Sequence, residues 1–162
     1  MAEHRVFLAN EAATAAFGKR LGELGGYRGL ISLSGDPGAG KTTLCRGLIR
    51  GAGHCGSVRS PTYTLVEAYE LGPIRINHLD LYRLSDPEEL DYLGFRDYLD
   101  GNSLCLVEWP EQGGRFLPAA DLKLSLRIRG SGRDLSWVAG TPRGQALSAA
   151  LAHDYPSSLT QI

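Results

Sequence analysis

Hydrophobic positions along the chain fall into short runs separated by glycine, proline and polar clusters. Arg5-Val6-Phe7-Leu8 is a brief apolar run, and Asn10 then stands as a helix cap before an Ala-rich stretch to Leu24. Ala13, Ala16, Phe17, Leu21 and Leu24 recur there at helical spacing. After Gly25-Gly26, Gly29 to Ser34 reads as a buried strand, a glycine loop follows, and Lys41 to Arg50 has helical character. Thr62 to Leu71 and Ile74 to Asp80, parted by Gly72-Pro73, predict a hairpin. Asp86-Pro87-Glu88-Glu89 combines an Asp cap, a first-turn proline and a glutamate three residues on, so a helix is expected to about Leu93, ended by Gly94. Ser103 to Val107 is continuously apolar, as a central strand buried on both faces should be, and ends in Glu108. Leu122, Leu124, Leu126 and Ile128 alternate with polar residues, and after Gly130-Ser131-Gly132 the strand character returns over Asp134 to Val138. That pair predicts an outlying antiparallel hairpin with one solvated face. Thr141-Pro142 opens an amphipathic helix through Ala152, and Pro156 onward reads as a frayed tail.

This alternation predicts one α/β domain over residues 1–155, a mostly parallel central sheet flanked by helices plus antiparallel hairpin strands, with 156–162 as the tail. The length of 162 residues suits one core and excludes two full domains. With 43% hydrophobic and 22% charged residues, neither a disordered chain nor a fibrous repeat fits. The net charge of -1 speaks against independent binding of RNA or DNA, which ordinarily rests on a basic excess. No apolar run approaches the ~18 residues that cross a bilayer, and MAEHRVFLAN lacks the pattern of a secretory signal, so a cytoplasmic protein is expected. Cys45, Cys55 and Cys105 form no CxxC pair, so their spacing spells neither a disulfide framework nor a zinc site. Glycine, at 21 residues, exceeds what packed elements need and suggests tight backbone turns.

Part of that glycine carries chemistry. Gly35-Asp36-Pro37-Gly38-Ala39-Gly40-Lys41-Thr42 matches GxxxxGK[ST] in full, and it lies between a predicted strand and a predicted helix, the context the motif requires. Glycines let backbone N–H groups converge on phosphate oxygens, and the helix beginning near Lys41 adds its positive end. Lys41, read as an exposed phosphate ligand without core packing, reaches the outer phosphates, and the Thr42 hydroxyl ligates Mg²⁺. The fold class is therefore an α/β P-loop NTPase. Such a site also needs a carboxylate at the end of a neighbouring strand. Glu108, after the continuously apolar strand, is assigned to Mg²⁺, and Asp80, after a more polar one, to orienting the attacking water. His78 reads as a structural hydrogen-bonding residue rather than a catalyst or ligand.

Several blocks occur in order: Gly35 to Thr43, Ser60-Pro61-Thr62-Tyr63-Thr64-Leu65-Val66, His78-Leu79-Asp80-Leu81-Tyr82-Arg83, Asp86 to Leu90, and Val107-Glu108-Trp109-Pro110. Through them the chain resembles the TsaE (YjeE) family, bacterial P-loop ATPases of tRNA threonylcarbamoyladenosine (t6A) synthesis. The resemblance spans Asn10 to about Asp134. It implies weak ATP hydrolysis by the chain alone and work with a TsaB–TsaD complex that modifies adenosine 37 of tRNA, the ATPase regulating turnover of that complex. Contact with tRNA is then indirect, through the partners, and neither DNA nor membrane is expected. In the family pattern the nucleotide contacts fall on Glu11, Gly38, Ala39, Gly40, Lys41, Thr42, Thr43 and Arg133, with Mg²⁺ at Thr42 and Glu108, the Asp80 acid in its block, and Trp109 beside the nucleotide. From the residues alone, Arg133 after a Gly-Ser-Gly turn reads as a solvated loop charge.

Two other classes share the phosphate loop. A small-molecule kinase ordinarily adds an acceptor pocket and an Arg-bearing lid, and no Arg-rich insertion is long enough for one. A GTP switch carries an NKxD-type segment, which is missing. An ATPase whose nucleotide state controls partner binding fits best, with Thr62 and Thr64 placed where a γ-phosphate-sensing loop acts.

Overall fold

In the computed structural model, which describes residues 3–157, a seven-stranded sheet carries the molecule. Its strands are β1 (His4–Leu8), β2 (Gly29–Ser34), β3 (Val66–Leu71), β4 (Ile74–Asp80), β5 (Leu104–Glu108), β6 (Leu122–Arg129) and β7 (Gly132–Ala139), in the order β1-β7-β6-β2-β5-β4-β3. β6, β2, β5 and β4 are mutually parallel, whereas β1, β7 and β3 add antiparallel edges. The expected α/β class holds. The β6–β7 hairpin is not outlying, however, because β6 pairs directly with the phosphate-loop strand β2 from Ile31↔Leu122 to Ser34↔Ser125.

The helices are α1 (Glu11–Gly25), α2 (Lys41–Gly51), α3 (Glu88–Tyr92) and α4 (Pro142–Asp154), joined by 3-10 turns at Phe95–Leu99 and Pro110–Phe116. Asn10 caps α1 by accepting from the Ala13 N–H at 2.8 Å, and Thr141 caps α4 by accepting from Gly144. Asp86 accepts the Glu88 N–H at 3.0 Å and Glu89 accepts from Ser85, but α3 begins at Glu88 with Pro87 in the cap position, one residue later than its signals predict. The tail expected from Pro156 lies beyond residue 157, and so outside the described residues, over most of its length.

Strand alternation divides the core in two. Ile31, Leu33, Leu104 and Leu106 face one side, with Phe17 and Leu21 of α1, Leu44, Leu48 and Ile49 of α2, and Leu147 and Leu151 of α4. Leu30, Cys105 and Val107 face the other, with Leu90 and Phe95. All five β5 residues are buried, as the continuous apolar run requires. On the first side α1 and α2 meet closely through glycine: a Cβ on Gly18 would stand 2.0 Å from the Leu44 carbonyl oxygen, and one on Gly47 2.1 Å from that of Ala15. These two glycines serve packing, while the turns that the composition suggested fall to others such as Gly26, Gly53 and Gly72, all at positive φ.

The segment expected to begin a strand at Thr62 departs from that reading. Residues 61–64 form a turn, closed by the Leu65 N–H to the Pro61 carbonyl, and Leu65 takes φ 71°. The Asp80 N–H donates to the Leu65 carbonyl, so the β3–β4 ladder starts only at Val66↔Leu79.

Candidate phosphate-loop site

The loop from Gly35 to Gly40 leaves the carboxyl end of β2 and runs into α2. Gly40, immediately before α2, takes φ 108°, a conformation that side chains rarely adopt, which is why glycine belongs there. Above the loop lies a cavity of about 570 Å³. Glu11, Gly38, Gly40, Lys41, Thr42, Thr43, Asp80, Glu108, Trp109 and Arg133 all line it, with Ser60, Thr62 and Tyr82. Ten of the eleven residues expected to bind nucleotide or metal or to act in catalysis thus come together, joined by Thr62, one of the two expected γ-phosphate sensors.

Ala39 is the exception. Its side chain is buried in the core, and its N–H is taken by the Asp36 carbonyl at 3.0 Å. Thr64 also points elsewhere, donating to Glu67 at 2.8 Å.

Lys41 is not the exposed ligand expected. It is 7% exposed, its ammonium donates to the Gly35 carbonyl, and it lies 4.9 Å from the Trp109 ring centroid. Trp109 itself, at φ 55° and ψ 53°, turns the chain sharply after β5 and packs beside Tyr82 with ring centroids 4.9 Å apart. Arg133 is not a solvated loop charge either. Its guanidinium donates to the carbonyls of Ala39 at 2.9 Å, Gly38 at 3.2 Å and Gly132 at 2.7 Å, and so clamps the outer side of the loop. Glu11 reaches the cavity because it opens α1, whose cap Asn10 also lines it.

Topology sets the two acids in order. β5 is the direct neighbour of β2, with Leu33↔Glu108, and β4 lies one strand further, with Asp80↔Glu108. Asp80 is 4% exposed and accepts from the Thr62 hydroxyl at 3.1 Å and the Tyr82 N–H at 2.9 Å. The Ser60 and Thr62 hydroxyls bond to each other at 2.8 Å, so the 60–62 segment is tied to β4 through Asp80.

Glu108 is 3% exposed and bonds through Oε2 to His78 Nε2 at 2.7 Å. His78 is therefore the structural partner that the sequence suggests. Burial disfavours its charged form, yet the neighbouring Cys45 sulfur and the Glu108 carboxylate outweigh that and push its pKa up to about 10. Sequence reasoning missed both the Lys41–Trp109 contact and the role of Cys45, since neither has a spacing signature. The Thr42 hydroxyl with a carboxylate at the cavity floor is a hard oxygen donor set of the kind Mg²⁺ takes.

A phosphate loop between a buried parallel strand and a helix, with acids ending the two next strands, defines a P-loop NTPase fold. Residues 8–135 match the family model described as threonylcarbamoyl adenosine biosynthesis protein TsaE, and the chain belongs to that family. Haemophilus influenzae has a relative named tRNA threonylcarbamoyladenosine biosynthesis protein TsaE that is 41% identical over 152 residues, covering 91% of this chain and 96% of the relative. A Bacillus subtilis protein of the same name is 35% identical over 127 residues, 77% of this chain and 79% of the relative. The crystal structure of Bacillus subtilis YdiB superposes with a TM-score of 0.78 at 27% identity, over 94% of this chain and 96% of that one.

Proposed function

We propose that the chain binds ATP with Mg²⁺ in the cavity above the phosphate loop and hydrolyses it slowly alone, acting in threonylcarbamoylation of adenosine 37 of tRNAs that read ANN codons. The convergence of Lys41, Thr42, Asp80 and Glu108 on one cavity carries this reading. Lys41 and the backbone of Gly38 to Thr43 hold the phosphates, and Glu11, Arg133 and Trp109 border the rest of the nucleotide. Thr42 and Glu108 hold Mg²⁺, which neutralises phosphate charge when bound. Asp80 orients the attacking water, and its bond to Thr62 connects that carboxylate to the 60–64 segment.

The catalytic partner on this reading is a TsaB–TsaD complex, and the chain is a cytoplasmic regulator of its turnover. A net charge of -1 suits a protein that meets tRNA only through its partners. Among the described residues, no helix is long and apolar enough to cross a membrane. ATP turnover measured with and without a purified TsaB–TsaD pair tests the proposal: a large stimulation is expected, and an unchanged rate overturns partner regulation. Phosphate appearing on a small-molecule acceptor instead of in solution would point to a kinase.

A further inference from the structure

Behind the floor of the cavity the fold assembles a donor cluster that no sequence spacing announces. Cys45 lies one turn after Lys41 on α2, His78 is in β4 and Glu108 ends β5. One ligand atom from each, a sulfur, a ring nitrogen and a carboxylate oxygen, lies within 4.8 Å of the other two. Cys45 and His78 are wholly buried and Glu108 nearly so. Among the described residues, His78 Nδ1 is the buried side-chain polar atom that finds no hydrogen-bond partner. Nε2, which faces the Glu108 carboxylate at 2.7 Å, is the nitrogen whose proton a cation would displace, while Nδ1 keeps its own.

We propose that Cys45, His78 and Glu108 form a site for a borderline-soft divalent cation, Zn²⁺ foremost. Zn²⁺ takes sulfur at about 2.3 Å and nitrogen or oxygen at about 2.0–2.2 Å, so tetrahedral donors stand roughly 3.3–3.6 Å apart. The His78–Glu108 pair, at 2.7 Å, opens by less than ~1 Å to reach that spacing. The sulfur, within 4.8 Å, closes by a little over ~1 Å at most. Three protein ligands leave a fourth position for water. Binding forms Zn–S, Zn–N and Zn–O bonds and releases to solvent the Cys45 thiol proton and the proton shared by His78 and Glu108, with no change of oxidation state. A thiolate and a carboxylate cancel the charge of the ion, so the buried site ends neutral.

A soft ligand in this set selects against Mg²⁺, which prefers oxygen throughout. The Cys-His-acid order does not make a nucleophilic triad, because Cys45 is wholly buried and does not line the cavity, leaving a substrate no approach. Glu108 does line it, and gives the ion its entry path. An ion held there also occupies the carboxylate assigned to Mg²⁺. That inhibitory consequence rests on the proposed ATPase reading, whereas the site itself does not.

Titration of the nucleotide-free chain with Co²⁺, in a Cys55→Ser background that removes the exposed thiol, tests the site without reference to ATP. The expected result is a 1:1 complex with a near-ultraviolet sulfur-to-cobalt band, bleached by later addition of Zn²⁺. Cys45→Ser and, separately, His78→Gln should each weaken binding by more than about 100-fold, since even residues that only support a ligand are worth about 10- to 100-fold. Circular dichroism shows that each variant is folded. A wild-type chain without the thiolate band, or a band that survives Cys45→Ser, overturns the proposal.

Discussion

Replacing Gly47 by alanine tests how tightly the phosphate-loop helix is seated. The new Cβ would stand 2.1 Å from the Ala15 carbonyl oxygen, 2.7 Å from its carbon and 2.8 Å from the Ala15 Cα, all backbone atoms of α1. Relief to an ordinary contact requires α1 and α2 to part by more than an ångström along their shared face, since no side chain can swing aside. Overpacking of this kind costs typically ~1–3 kcal/mol, occasionally more, and backbone obstruction places Gly47 toward the upper end. Alanine in place of glycine within a helix returns about 1 kcal/mol. The net expectation is a loss of about 2 kcal/mol, or a Tm lower by roughly 4–8 °C for a chain of this size. Gly51→Ala is the matched control on the same helix, because its Cβ meets the flexible side chain of Lys19 and the last turn can adjust. Thermal melts followed by circular dichroism should show Gly47→Ala clearly below wild type and Gly51→Ala near it. A Gly47→Ala protein as stable as wild type would refute the account of helix contact.

Lys41→Ala should abolish ATP hydrolysis yet stay folded, losing about 1–3 kcal/mol because the Gly35 carbonyl gives up its ammonium partner; wild-type turnover in the folded variant sinks the site assignment. Glu108→Ala should weaken Mg²⁺-dependent ATP binding measured by calorimetry, whereas Asp80→Ala should spare binding and slow hydrolysis, and the reverse outcome exchanges the two roles. Mg·ADP should change the emission of the native chain and of Trp137→Phe but not of Trp109→Phe, because Trp109 lines the cavity while Trp137 is fully buried and stacked on His4. Burial pushes the Cys105 thiol up to about 12, so at pH 8 only about one molecule in ten thousand carries its reactive thiolate. A disulfide reagent should accordingly label exposed Cys55 within the mixing time and leave Cys105 untouched until unfolding; prompt labelling of Cys105 at pH 8 would contradict its burial.

Local features were the legible ones. The phosphate loop, both helix caps and the apolar β5 run depend on residues a few positions apart, so the chain alone places them. The acids at 80 and 108 were also legible, because each closes a strand, continuously apolar before Glu108 and more polar before Asp80. What escaped depends on which strands become neighbours. Arg133 is 94 residues from the Ala39 carbonyl it grips, and only the β2–β6 pairing brings them together. Thr62 to Leu65 has strand-forming residues, yet the Asp80 carboxylate and N–H both bind this segment and hold it as a turn. Lys41 looked solvent-facing because P-loop lysines meet phosphate, but here the αL turn at Trp109 brings an indole over it.

The clamp by Arg133 has a consequence for the order in which the protein becomes competent. The phosphate loop is complete in sequence by residue 42, early in synthesis, but its outer carbonyls find their partner only when β7 has been made and paired. The parallel neighbours β5 and β6 of its strand also come late. A nascent chain halted before residue 133 therefore carries the whole phosphate loop without the side chain that holds its outer carbonyls.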